Sequence, residues 1–123
     1  MATRATIIVE GFDKVMVYKH WDGYPEAMTA WLMDFNQRFK EARGTQPHVG
    51  HYKFAQLLRS SVIDAEKFDL YIDKYTGWGV YPINTPMNQE YEYTLHLDGD
   101  VSYIDIDKGI QVFAGYEEEA VNA

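Results

Sequence analysis

Cysteine is absent from this 123-residue sequence, which excludes disulfides and thiolate zinc sites and fits a reducing compartment. Long apolar runs are missing too. Nothing approaches the roughly 20 residues that span a bilayer, and the opening "MATRATIIVE" has no basic stretch leading into an apolar core. The expected location is the cytoplasm, with no membrane insertion. Cations are scarce: 11 Lys and Arg stand against 19 Asp and Glu, a net charge of -8 that repels phosphate backbones and argues against direct nucleic-acid binding. The same balance suits the reverse role, an acidic mimic that occupies a nucleic-acid enzyme, although part of the charge lies in the ending "YEEEAVNA".

Aromatic residues are plentiful, with 10 Tyr, 6 Phe and 3 Trp, so some rings must lie near the surface. Tyrosine and tryptophan pair an apolar body with a polar tip, which suits a subunit interface or a face on which a flat ligand stacks. A homodimer or higher homo-oligomer is therefore expected.

No repeat or linker divides the chain, so residues 1–116 read as one domain and 117–123 as an acidic tail. "ATIIVEGFDKVMVYKH" places two β-branched runs around a Gly-containing loop, a β-hairpin. With Glu10 to Asp13 as a four-residue loop, Val9 faces Lys14, Ile8 faces Val15 and Arg4 faces Lys19. From Pro25 the period becomes helical: Met28, Trp31, Leu32, Phe35 and Phe39 form one stripe, and Gly44 and Pro47 stop it. A second amphipathic helix, roughly His51 to Val62, carries Phe54, Leu57, Leu58 and Val62. Residues 64–76 carry both strand alternation and a helix start, and Pro82 makes "GWGVYPIN" an edge strand.

The C-terminal third reads as a meander. A two-residue Asp98-Gly99 turn sets Tyr93 opposite Ile104, and an Asp107-Lys108-Gly109 loop sets Ile104 opposite Val112. Glu92, Thr94, His96, Tyr103, Asp105 and Phe113 then share the outer face. The expected fold is α+β: an antiparallel sheet, N-terminal hairpin plus C-terminal meander, with two amphipathic helices packed on one face.

"HWDGYP", between the hairpin and the first helix, draws the functional question. Asp22 as a helix cap, Gly23 at a tight exit, Pro25 in the first turn and Glu26 against the helix dipole explain four of its neighbours structurally. His20, Trp21 and Tyr24 are left over. Arg4 opposite Lys19, beside His20 and a helix start, concentrates positive potential there. A site of Arg4, Lys19, His20, Trp21, Asp22 and Tyr24 is the candidate for a small phosphorylated ligand with a ring stacked on its base, or for a protein partner. The catalytic alternative is a small hydrolase, His20 as general base with Asp22 fixing its tautomer, though no nucleophile motif accompanies it. His48 and His51 are three apart and lack a third ligand, so they make a weak metal pair, and no cofactor is expected.

The runs "MATRATIIV" and "YKHWDGYPEAM", with the later "EYEYTLHLDG", resemble a group of small phage and prophage proteins that open on an A-T-R strand and turn at an H-W-D-G-Y-P corner. The resemblance covers about a third of the chain and implies no catalytic residue. It implies a setting: accessory proteins that act by non-covalent binding, counter-defence among their roles.

Overall fold

The computed structural model describes residues 3–67 and 77–114, with side chains over 3–59 and 77–114. The chain runs β1 (Ala5–Val9), β2 (Phe12–Lys19), α1 (Pro25–Arg43), a 3₁₀ turn (Pro47–Val49), α2 (Gly50–Lys67), β3 (Trp78–Pro82), β4 (Tyr91–Leu95), β5 (Val101–Asp105) and β6 (Ile110–Phe113). The strands form one sheet in the order β3-β2-β1-β4-β5-β6, an α+β fold with its helices on a sheet. Val62's side chain, the ambiguous residues beyond Lys67 up to Thr76 and the proposed tail at 117–123 lie outside the described residues.

The apolar stripes explain the layering. Met28 and Leu32 of α1 and Phe54 and Leu57 of α2 sink into one face of the sheet, against Ile7, Val9, Val17, Tyr93, Leu95 and Tyr103. The opposite face carries no helix among the described residues. Instead, residues 83–90 cross it from β3 to β4, with Asn84, Thr85, Pro86 and Gln89 lying over Ile8, Met16 and Glu92. That crossing delivers β4 parallel to β1, so the sheet is mixed where a wholly antiparallel one was expected.

Three registers differ from the expected ones. In the first hairpin only Glu10 and Gly11 separate Val9 from its partner Phe12, and the ladder then slips, so that Ile7 faces Val17 and Ala5 faces Lys19. Gly11 makes the tight turn with φ 92, a region costly for side-chain-bearing residues. Between β4 and β5 the loop holds three residues, Leu97 to Gly99, because Leu95 pairs with Val101 and the His96 N–H donates to Asp100 O. The Asp98 carboxylate accepts from Asp100 N at 2.9 Å, a local bond that favours the longer loop. Between β5 and β6 the loop holds four residues, since Asp105 pairs with Ile110. Each one-residue slip moves side chains to the other face. Tyr103 and Asp105 therefore turn to the helix side, Ile104 joins the open face, and Ile106 and Ile110 stand exposed.

A set of buried donors binds the helices to the β4–β5 turn. Asn36 Nδ2 reaches His96 O and Asp100 O, both at 2.9 Å, and Gln37 Nε2 reaches Gly99 O at 3.0 Å. From α2, fully buried Lys53 donates to His96 O at 3.2 Å and lies over the Phe39 ring. Burial pushes the Lys53 pKa below its ordinary 10.5, against the opposing pull of Glu10 and Asp98.

The folded value lies below the unfolded one, so in the interval between them the unfolded chain holds a proton that the folded chain has released. Stability then rises with pH up to the ordinary 10.5. A Lys53→Met variant removes that dependence. The expected result is a wild-type-minus-variant stability difference that moves in favour of the wild type as urea melts are repeated at increasing alkaline pH. A difference independent of pH would show that burial does not depress this ammonium.

Candidate functional site

The corner between β2 and α1 is fastened at three points. The Gly23 N–H donates to Thr3 O at 2.9 Å, and the hydroxyl of fully buried Tyr93 donates to Gly23 O at 2.6 Å. A Cβ on Gly23 would sit 2.6 Å from the Ala5 Cβ and 2.8 Å from Thr3 O, so the corner lies directly on the start of β1. Glycine is needed here for close approach. Asp22 does not cap the helix: it takes the left-handed position, φ 59, and the cap position falls to Tyr24, whose carbonyl accepts from Ala27 N and Met28 N. Pro25 and Glu26 occupy the first turn as expected.

Lys19 and Arg4 are not partners. With Ala5 opposite Lys19, both point to the helix side, and the Lys19 ammonium lies 4.7 Å from the centre of the Trp78 ring. Alternation puts Arg4, one residue before Ala5, on the other side. Its backbone is drawn towards β4: Arg4 N donates to Glu90 Oε2 at 2.6 Å, and Arg4 O accepts from Glu90 N. The anticipated pair of cations is therefore split between the two faces.

The rings, by contrast, come together. The His20 Nδ1 is 2.8 Å from the Tyr18 hydroxyl, its ring stands edge-on to Trp21, and Tyr18 in turn stands edge-on to Tyr81. Trp21 lies on Gly77, where a Cβ would come within 2.9 Å of the indole. Trp21, Tyr24 and Tyr81 are 37%, 40% and 37% exposed, unusual for large rings held on a fixed corner and edge. The Tyr18 hydroxyl engages one of the two imidazole nitrogens of His20, the general base of the hydrolase reading. His48 is exposed on the 3₁₀ turn, and His51 packs against Phe12 at 4.9 Å. Among the described residues no group of three His, Cys, Asp or Glu is arranged to hold a metal ion.

Two features escaped the sequence reading. A cleft of about 330 Å³ opens beside the corner, between the first turn of α1 and the ends of β4 and β5. Tyr91, Tyr103, Glu26, Asp105 and Lys108 line it. Burial, then Asp105, Glu26, Asp107 and Glu90, hold the Tyr91 phenol above its ordinary 10.0, so the potential there is negative. At the far end of the sheet Ser102 Oγ lies 2.7 Å from His96 Nε2, with Glu10 Oε1 3.8 Å from Nδ1. The order mimics a Ser-His-acid relay. However, Ser102 is only 1% exposed, and Glu10 already accepts from Leu97 N at 2.7 Å, so the group serves to join the turns. A one-residue error in the expected β4–β5 register hid both features.

No family model, curated protein or solved structure matches the chain. No helix among the described residues is long and apolar enough to cross a membrane.

Tyr93→Phe tests the corner's anchorage. Loss of the hydroxyl leaves Gly23 O without that donor and should destabilise by about 1–3 kcal/mol at neutral pH. Burial raises the Tyr93 pKa, so its contribution is present below the ordinary 10.0 and lost above it, where only the unfolded chain ionises. The gap between wild type and variant should narrow above that pH in denaturant melts. A Tyr93→Phe protein as stable as the parent would show that the bond does not hold the corner.

Proposed function

We propose that this is a small phage- or prophage-type accessory protein that works by non-covalent binding to a protein partner in the host cytoplasm, with counter-defence as its setting. One observation carries the reading: Trp21 and Tyr24 are exposed on a corner whose backbone is anchored by Tyr93, Thr3 and Ala5. Exposed aromatic anchors on a rigid support are the usual centre of a protein interface, because they bury much area at little entropic cost. Tyr81 on edge strand β3, edge-on to Tyr18, extends the surface. A small phosphorylated ligand is less well supported, since Arg4 and Lys19 do not converge and carboxylates surround the neighbouring cleft.

A second reading, association of two copies, is supported by the other sheet edge, where Ile110 and Phe113 of β6 and nearby Ile106 are exposed. The two readings use different edges and can coexist.

Photo-crosslinking from position 24 inside the host tests the first, with position 52, also exposed but on α2, as reference. The expected outcome is one discrete protein adduct from position 24, abolished by Trp21→Ala and absent from position 52. Identical patterns from both positions would remove the corner as a docking surface. Sedimentation velocity of Ile110→Lys against the parent tests the second, and a parent that is monomeric at every concentration ends it.

A further inference from the structure

We infer that the cleft between the first turn of α1 and the ends of β4 and β5 receives a cationic side chain, an alkylammonium or a guanidinium, presented by the protein partner. The inference rests on the partner-binding reading above and adds the chemistry of the group that is bound.

Three observations converge on that chemistry. The first is composition: Tyr91 and Tyr103, their rings edge-on at 73° with centroids 6.0 Å apart, both border the cleft, Tyr91 half-buried and Tyr103 with only its rim exposed. Ring faces carry negative quadrupole density and attract organic cations, guanidinium and ammonium alike. The second is charge. Glu26 and Asp105 line the same space and form no ion pair among the described residues, while Asp107 and Glu90 add to the negative potential at the Tyr91 oxygen. The Asp105 Oδ1 accepts from the Lys108 backbone N–H at 3.2 Å, and that bond aligns the carboxylate without neutralising it. The third is size: about 330 Å³ gives room for one long side chain and its hydration.

Two forces oppose a cation here. The start of α1 carries partial positive charge, which Glu26 offsets from within the first turn. Lys108 on the rim contributes a full positive charge and competes with the incoming group. An anion would gain from these two alone but would face both carboxylates and the ring faces. The balance favours a cation, and Lys108 is the residue that weakens it.

The test uses full-length protein with isotope-labelled tyrosine, titrated with N-acetyl-lysine methylamide and N-acetyl-arginine methylamide. N-acetyl-norleucine methylamide is the neutral control. The cationic probes should shift the Tyr91 and Tyr103 resonances saturably, and the neutral one should not. Glu26→Gln and Asp105→Asn should each weaken binding about three- to tenfold, and Lys108→Ala should strengthen it by a similar factor. Asp13→Asn, an exposed charge on β2, should change nothing. Equal response to norleucine, an equal loss in Asp13→Asn, or no movement of either tyrosine would each overturn the inference. The corner reading is scored separately by the adduct from position 24. An adduct that persists at full yield in Glu26→Gln/Asp105→Asn sinks the cleft alone. Saturable probe binding by a protein that gives no adduct keeps the cleft as a cation site, supplied by free amines, and sinks the partner reading.

Discussion

The contact on which the corner's geometry depends is the hydrogen bond from Tyr93 to Gly23 O, made where Gly23 lies against Ala5. Tyr93 sits at the centre of the sheet, with no exposed surface, between Ile7 of β1 and Tyr103 of β5. Its ring belongs to the core and its hydroxyl reaches the chain just before α1. A phenylalanine would fill the same volume but could not tie down the corner. Because that carbonyl is held, the entry angle of α1 is held, and with it the positions of Trp21 and Tyr24 outside the core and of Glu26 beside Tyr91.

The two ends of the sheet solve their polar problems differently. At the β4–β5 turn, Asn36, Gln37 and Lys53 bring side-chain donors to the carbonyls of His96, Gly99 and Asp100, adding to the backbone bonds that His96 O takes from Gly99 N and Asp100 O from His96 N. An ammonium is an expensive way to satisfy a carbonyl, since burial works against its charge, yet the carbonyl of His96 has both Asn36 and Lys53 for donors. Glu10 and His96 add a link between this turn and the first hairpin. At the corner end the polar groups of Gly23 are met by backbone and by Tyr93, and the charged side chains of Glu26 and Asp105 face open space. One end is closed by its own side chains. The other keeps rings and carboxylates facing outward.

Much of the fold was legible because periodicity reports burial. The stripe of Met28, Leu32 and Phe39 located α1 and its inner face, Gly44 marked its end, and Pro82 placed β3 at an edge. Registers were not legible, because each depended on a loop length that local chemistry leaves open by one residue. The expected β4–β5 and β5–β6 pairings maximised aliphatic matches on the inner face, and so treated Tyr103 as an outward polar residue. In the fold, three tyrosines, Tyr91, Tyr93 and Tyr103, cluster on the helix side with ring centroids 5.6 to 6.4 Å apart, and Ile104 lies on the other face. Tyrosine's apolar body decided the register, and pattern reading undercounts it. The parallel junction of β1 and β4 was hidden for another reason: it depends on residues 83–90 crossing the open face, a long-range path with no sequence period.

The sign of the charge at the corner follows from these registers. Had the first hairpin paired Arg4 with Lys19, two cations would have met at the helix start, and a phosphate would have been the natural complement. The slip between Ile7 and Val9 sends Lys19 to Trp78, on the helix side, while Arg4 N engages Glu90. The slip in the β4–β5 loop simultaneously turns Tyr103 and Asp105 towards the first turn of α1, where Glu26 already stands. Both displacements act in one direction. The first disperses the positive charge expected at the corner, and the second adds a carboxylate and a tyrosine to the cleft beside it, so the start of α1 offers a ligand the opposite charge from the one its expected registers imply.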